Sequence, residues 1–335
     1  MTRRRAAWLL LVAVVALAVA AGAQPPAPAA GQRPMLRAGY LRREATGHPG
    51  ERLLEAFRRE LQADDEFRAA LANSGYDPDA GLGLVPCDGA DDMVRRLNAR
   101  EFDLAFTPAA IHARQTGDYR PVLKARRPGD LFSPGGVVRR IGVVIVSARH
   151  PLFSAPDPPP ADAVRAALAA QPLAVAGSQS VAGFHAPLVE LARLYNIGAP
   201  AGGYAWFENS AEVVKAVLAG LADAGACEEA AIDAVLAEAG LLDPAAPAAE
   251  RDAARARYVR VLLRTSPVIT DPVVMRPQLA GRSSPVGSLL RLRLREFSLG
   301  GGFEGLQYLP AEESEFIGLG ELLRTFDRIV GEVAP

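Results

Sequence analysis

The chain has 335 residues, 50% of them hydrophobic and 22% charged, with a formal net charge of −1. That length suits one large two-lobed globule or two ordinary domains. Near-neutrality argues against nucleic acid as a partner, because no basic excess is available to neutralise phosphate backbones.

Residues 1–23 read as a secretory signal peptide. Arg3-Arg4-Arg5 precedes an apolar run from Ala6 to Ala20, and Ala21-Gly22-Ala23 offers a small-x-small cleavage site before Gln24. The run is shorter than the ~20 residues a spanning helix needs, which disfavours an uncleaved anchor. No cysteine stands near the cleavage site to carry lipid, and Arg3-Arg4 reads more readily as basic flank than as a twin-arginine signal. Residues 24–34, opening with a Pro- and Ala-rich stretch, read as a flexible leader.

Beyond the leader, strand and helix patterns alternate. Leu36 to Tyr40 is a short strand, Leu41 to Gly47 a loop, and Glu51 to Leu61 a helix with Leu53, Leu54, Phe57 and Leu61 on one side. Leu82 to Pro86 follows as a strand, and Asp91 and Asp92 sit favourably in the first turn of the next helix. Phe102 to Phe106 is a third strand, leading through Thr107-Pro108 into a helix over Ala109 to Gln115. Such alternation predicts an α/β lobe with a largely parallel sheet. Ile141 to Val146 is apolar and β-branched almost throughout, as a buried central strand would be.

The most informative stretch begins at Pro172. An apolar run to Ala176 breaks into Gly177-Ser178-Gln179-Ser180-Val181-Ala182-Gly183, and a helical pattern follows through Leu188, Leu191 and Leu194. A strand, a hydroxyl-bearing turn and a helix aim several backbone N–H groups at one point, so an anion can bind there without Lys or Arg. Ser210 to Gly220 then reads as a capped helix with a glycine stop, and Leu221 to Ala226 as a small-residue strand carrying Asp223, with Glu228 just past it. Several of these residues have plainer readings. Ser180 and Ser210 suit helix caps, and Asp223 suits backbone satisfaction. Glu228 suits a solvated first-turn acid.

No catalytic constellation stands out. Gly177-Ser178-Gln179-Ser180 is not a Gly-x-Ser-x-Gly elbow, and Gly81-Leu82-Gly83 lacks the third glycine of a dinucleotide fingerprint. The four histidines, His48, His112, His150 and His185, show no paired metal spacing. His185 near Ser180 is better read as a packing residue than as the base of a dyad. Neither of the two cysteines has a CxxC partner.

The order of these pieces resembles the substrate-binding proteins of phosphate/phosphite/phosphonate ABC transporters. There a Ser-Thr-Ser-Gly turn opens a helix and a Val-Val-x-Ala-Val helix leads into an Asp-Ala-Gly-Ala strand. Ser180-Val181-Ala182-Gly183, Val213 to Val217 and Asp223 to Ala226 match those positions. Ser266-Pro267 with Asp271-Pro272-Val273-Val274, and the late Leu309-Pro310-Ala311-Glu312-Glu313-Ser314, are also similar to family segments. The resemblance implies a two-lobed type II periplasmic-binding-protein fold. Residues 35–139 plus 270–335 would form lobe one and residues 140–269 lobe two, joined by two crossing strands, the first at Ile141 to Val146 and the second within Tyr258 to Met275, with the tail packed on lobe one. Cys87 and Cys227 would then lie in different lobes as unpaired buried thiols.

The resemblance further implies a periplasmic, non-catalytic monomer without a cofactor. It would capture a small oxyanion for an ABC transporter permease and meet the membrane only through partner subunits. Ser178, Gln179 and Ser180 from lobe two, with Tyr40 and Thr107 from lobe one, would hold the anion. Ser210, Asp223 and Glu228 would meet the rest of the ligand. The chain departs from the family pattern at Val181, where a threonine is expected, at Ser210, where a histidine is frequent, and at Ile111, where a tyrosine is common. These changes motivate a second ligand class, an organic acid or pyrimidine-like metabolite. A sensory partner of a membrane receptor is a third reading.

Overall fold

The structure is a computed structural model that describes residues 33–42, 49–132 and 138–331. The expected signal peptide, nearly all of the expected leader, and most of the loop after Tyr40 lie outside the described residues. The chain opens with β1 (Leu36–Leu41), α1 (Glu51–Ala63), α2 (Asp65–Asn73), β2 (Leu82–Cys87), α3 (Ala90–Asn98), β3 (Leu104–Phe106), α4 (Ala109–Arg114) and β4 (Arg120–Arg126). It then crosses through β5 (Leu131–Phe132) and β6 (Val138–Arg140) into β7 (Gly142–Ser147). The second half contains α5 (Ala161–Ala170), β8 (Leu173–Ala176), α6 (Ala186–Tyr195), β9 (Tyr204–Phe207), α7 (Ser210–Ala219), β10 (Ala224–Glu228), α8 (Glu229–Glu238), α9 (Ala248–Tyr258) and β11 (Val259–Arg264). It returns through β12 (Val268–Ile269) to β13 (Pro272–Met275), α10 (Pro277–Ala280), α11 (Pro285–Leu299), β14 (Gln307–Pro310) and α12 (Ile317–Gly331).

Two mixed sheets result. The first has the order β14-β4-β13-β3-β1-β2 and the second β11-β7-β10-β8-β9. Parallel pairing is confined to β1 with β2 and β3, and to β8 with β9 and β10; the remaining neighbours in these sheets pair antiparallel. The parallel share is smaller than the βα alternation suggests, because strands adjoining the crossings enter each sheet in the opposite sense. The crossings themselves pair, with Val268 opposite Arg140 and Ile269 opposite Arg139.

Period and burial agree in both halves. In α1, Leu54, Phe57 and Leu61 are buried and Leu53 packs beside them, an apolar stripe at helical spacing. All of β7 is buried, and its residues alternate between two cores: Val144 and Val146 face one, Val143 and Ile145 the other. A strand covered on both faces has no polar side to show, hence its unbroken apolar sequence.

The tail divides rather than packing wholly on lobe one. Helix α11 buries Val286, Leu290 and Leu294 in the first core. Helix α12 instead sends Phe326 into the second-lobe core. Its Leu319 and Leu323 join Ala109, Ala110, Val181, Ala182, Val268 and Ile269 in an apolar cluster between the lobes. Leu319, Leu323 and Phe326 form one stripe at helical spacing, which the junction and the adjoining second-lobe core bury together.

Cys87 in β2 and Cys227 in β10 are free and buried in separate sheets. Burial, reinforced by Asp92, pushes the Cys87 thiol up to about 12, and burial raises that of Cys227 as well. A thiol reagent at pH 8 should therefore label neither cysteine in the native protein and both after denaturation. Prompt labelling of folded protein would contradict this packing.

Candidate functional site

Three helix starts meet at the carboxyl end of the second sheet. After β8 the chain turns at Gly177, and the Ser180 N–H donates to the Gly177 carbonyl at 2.8 Å. Ser180 caps the wide turn Val181–His185 that leads into α6, its Oγ accepting from the Gly183 N–H at 2.9 Å. Asn209 caps α7 by accepting the Glu212 N–H at 3.0 Å. The Ser210 Oγ accepts the Glu228 N–H at 3.0 Å, tying the start of α7 to the end of β10. Glu228 stands at the N-cap of α8 but makes no side-chain cap.

Gly183 lets these pieces approach. A Cβ at that position would lie 2.7 Å from the Ser180 Oγ, 2.8 Å from the Ala176 Cβ and 3.1 Å from the Ser210 Oγ. Each serine oxygen already accepts one backbone N–H, which leaves its own O–H to donate. A cavity of about 330 Å³ opens beside them, lined by Arg127, Asp130, Ser180, Asn209, Ser210 and Glu228 among others.

A buried charge cluster forms the hinge side. Arg140 bonds Asp130 at 2.9 Å and reaches Glu228 at 3.4 Å and Asp271 at 3.5 Å. Burial alone would lower the pKa of this guanidinium, but Glu228, Asp130 and Asp271 together raise it. Arg127 shifts the other way, through burial and then the charge of Arg140, against the pull of the same three acids. Oriented N–H groups, two hydroxyls and a guanidinium suit an oxyanion, while Asp130 and Glu228 suit a donor on the same ligand.

Ser180, Ser210 and Glu228 thus come together at this cavity. Ser210 is the first residue of α7 and not its cap, because Asn209 takes that place. Gln179 is buried and its Oε1 has no partner among the described residues; its Nε2 donates to the exposed Ser178 Oγ at 3.3 Å. Neither residue lines the cavity. Asp223 is exposed and precedes the amino end of β10, whereas Glu228 ends that strand. At ~3.3 Å rise per residue the two are roughly 16 Å apart, so Asp223 does not join the others.

The lobe-one candidates also stand elsewhere. Tyr40 is buried in the first core, its hydroxyl pushed up to about 12 by burial and then by Glu51. Thr107 is fully buried, and its Oγ1 donates to the Pro108 carbonyl at 3.3 Å. The free end of α4 is occupied internally, since Asp271 Oδ1 accepts the Ala109 N–H at 2.9 Å. Val181 packs on Ala109 and Ala110, so apolar contact fills the junction where a threonine hydroxyl was expected.

Arg127, Asp130, Asn209 and Arg140 are the residues the sequence reading passed over. The pair Arg126-Arg127 is visible as a local basic cluster, and Asn209 precedes a helix pattern as a preferred cap. Arg140 and Asp130 give no such local signal. Among the described residues no group of His, Cys, Asp and Glu is arranged to hold a metal ion.

A two-lobed α/β molecule with paired crossing strands, and a polar cavity at helix starts beyond the strand ends, defines a type II periplasmic binding protein. The chain belongs to the family of ABC transporter phosphonate periplasmic substrate-binding proteins, whose model matches residues 68–293. No curated protein matches the chain. Among solved structures it is similar to XAC2383 from Xanthomonas citri bound to ATP, at 20% identity and TM-score 0.56, covering 90% of this chain and 99% of that one. It is also similar to PhnD1 from Prochlorococcus marinus in complex with methylphosphonate, at 15% identity and TM-score 0.53, covering 88% and 98%. A binding protein component of an ABC phosphonate transporter from Pseudomonas aeruginosa matches at 11% identity and TM-score 0.53, over 90% of each chain. Among the described residues no helix is long and apolar enough to cross a membrane.

Gly183→Ala should drive the two serine hydroxyls apart. Ligand affinity is expected to fall at least tenfold, about 1.4 kcal/mol, with the fold retained by circular dichroism. Titration calorimetry showing unchanged affinity would separate the cavity from binding.

Two neutral histidines add a pH dependence. The His185 Nδ1 lies 3.1 Å from the Ser180 carbonyl, which only accepts, so Nδ1 carries the proton. Burial, then the charge of Arg114, takes His185 down to about 3 against the pull of that bond, and burial takes His112 to about 4. Unfolded imidazoles bind protons near ~6.5, so between about pH 6.5 and 4 the unfolded chain binds more protons and stability falls as pH falls. The melting midpoint should decline across that window, and less steeply in His185→Gln; equal slopes would rule out a contribution from His185.

Proposed function

We propose that the protein is a non-catalytic periplasmic monomer that captures a small oxyanion, with phosphonate, phosphate or phosphite first in line, for an ABC transporter permease. The observation that carries this reading is the meeting of three helix starts and Arg127 around one cavity. Each hydrogen bond from such a donor to a charged ligand contributes about 1.5–3 kcal/mol. Lobe one, residues 35–139 plus 270–335, and lobe two, residues 140–269, would close by bending at the paired crossings β6 and β12, with α12 spanning the junction. Family membership supports export, and the apolar stretch at residues 6–20 supports a cleavable signal peptide.

Asp130 and Glu228 favour a second reading, an organic ligand that also offers hydrogen-bond donors. A thermal-shift panel separates the two. Stabilisation by methylphosphonate, phosphate or phosphite, without stabilisation by hydroxy acids or pyrimidines, supports the oxyanion; the reverse pattern supports the organic ligand. Ser180→Ala should weaken oxyanion binding about tenfold or more through one lost charged hydrogen bond. It should also lower the melting midpoint slightly through the lost cap. Calorimetry with unchanged affinity would remove Ser180 from the site.

A further inference from the structure

We propose that a second small-molecule site lies at the hinge, in a crevice bordered by α6, the second crossing and α12, and that it takes an amphiphilic carboxylate. The crevice has a volume of about 280 Å³ and shares no lining residue with the cavity at Ser180. Val189, Pro267, Leu319 and Leu322 supply apolar wall, and Ser266 and Ser314 add hydroxyls.

Three charged residues line it, and two are already neutralised. Glu315 is held by Lys124 at 2.6 Å, with side-chain exposures of 10% and 3%. Glu190 is held by Arg193 at 2.7 Å. The Arg139 guanidinium has no carboxylate within ion-pair distance among the described residues and makes one long contact, of 3.5 Å, with the Pro267 carbonyl. The crevice therefore carries one uncompensated positive charge against apolar walls. A guanidinium with open donors fits a carboxylate in a planar, two-bond arrangement. At ~30 Å³ per water-sized group the volume holds roughly nine such groups, the size of a six-carbon acid.

Its position bears on the hinge. Helix α6 belongs to lobe two, Arg139 and Val268 to the crossings, and Glu315 is anchored through Lys124 to β4 of lobe one. An occupant touches all three. This inference goes beyond the oxyanion reading and does not depend on it.

Hexanoate is the probe, with hexanol and acetate as its apolar and charged halves, titrated into the full protein at pH 7. Hexanoate is expected to bind wild type and Ser180→Ala alike, at least tenfold more tightly than either half. Arg139→Gln should weaken it at least tenfold. Gly318→Leu fills the crevice from a helical position where an added Cβ meets nothing within 4 Å, and should abolish binding without loss of fold. Absence of hexanoate binding to wild type, affinity unchanged in both Arg139→Gln and Gly318→Leu, or loss in Ser180→Ala would each overturn the proposal.

Discussion

One buried guanidinium organises the centre of this molecule. Arg140 sits on the first crossing strand and holds Asp130 of the hinge loop, Glu228 of lobe two and Asp271 of lobe one. Each partner carries a second duty. Asp130 Oδ2 accepts the Arg127 N–H at 2.7 Å, Asp271 Oδ1 accepts the Ala109 N–H, and the Glu228 N–H donates to Ser210. Burying such charges carries a desolvation penalty of several kcal/mol per ion, so the cluster persists only because the acids and guanidinium satisfy one another. Its position therefore fixes the hinge loop, the start of α4 and the start of α7 together.

This arrangement also sets the electrostatics of the cavity. Arg127 and Arg140 face three carboxylates, and burial magnifies every imbalance among them. Val181 stands where the resemblance implies a threonine hydroxyl, and Arg127 lines the cavity beside the two serines. The positive ends of the helices at Ser180, Asn209 and Glu228 remain in place. The ligand proposed for this cavity would exchange water for fixed donors on one side and meet acids on the other. Such a division selects on the whole charge pattern of a solute rather than on its anionic group alone.

Much of this architecture is legible in local sequence. The stripe of α1, the two-faced burial of β7 and the cap at Ser180 all follow from spacing within a few residues. What escaped depends on distance along the chain. Arg140 meets Glu228 across 88 positions, and no local pattern marks such a pair. The strands β5 and β6 of the first crossing span two and three residues, too short for a period to show. Asp223 was misplaced for a different reason. The strand it was assigned to begins one residue later, at Ala224, and continues to Glu228, so the same sequence motif delivers the later acid to the carboxyl end.

The division of labour between the lobes follows from Asp271 and Val181. In a cleft gripped from both sides, the starts of α4 and α6 would each offer N–H groups to the ligand. Here the start of α4 is already satisfied by Asp271, and its alanines pack on Val181 and Ala182 with Leu319 and Leu323. Apolar contact between lobes needs no ligand to form, at roughly 25 cal/mol per Å² of buried area. Lobe one then contributes to the proposed binding through the chain that leaves it, the Arg127 to Asp130 segment, rather than through its own helix starts. Two routes join the cavity to Arg140: that segment, through the Asp130 ion pair, and Glu228, which lines the cavity and reaches Arg140 at 3.4 Å. The same residue that ties the three hinge carboxylates together is thus positioned to transmit what the cavity holds.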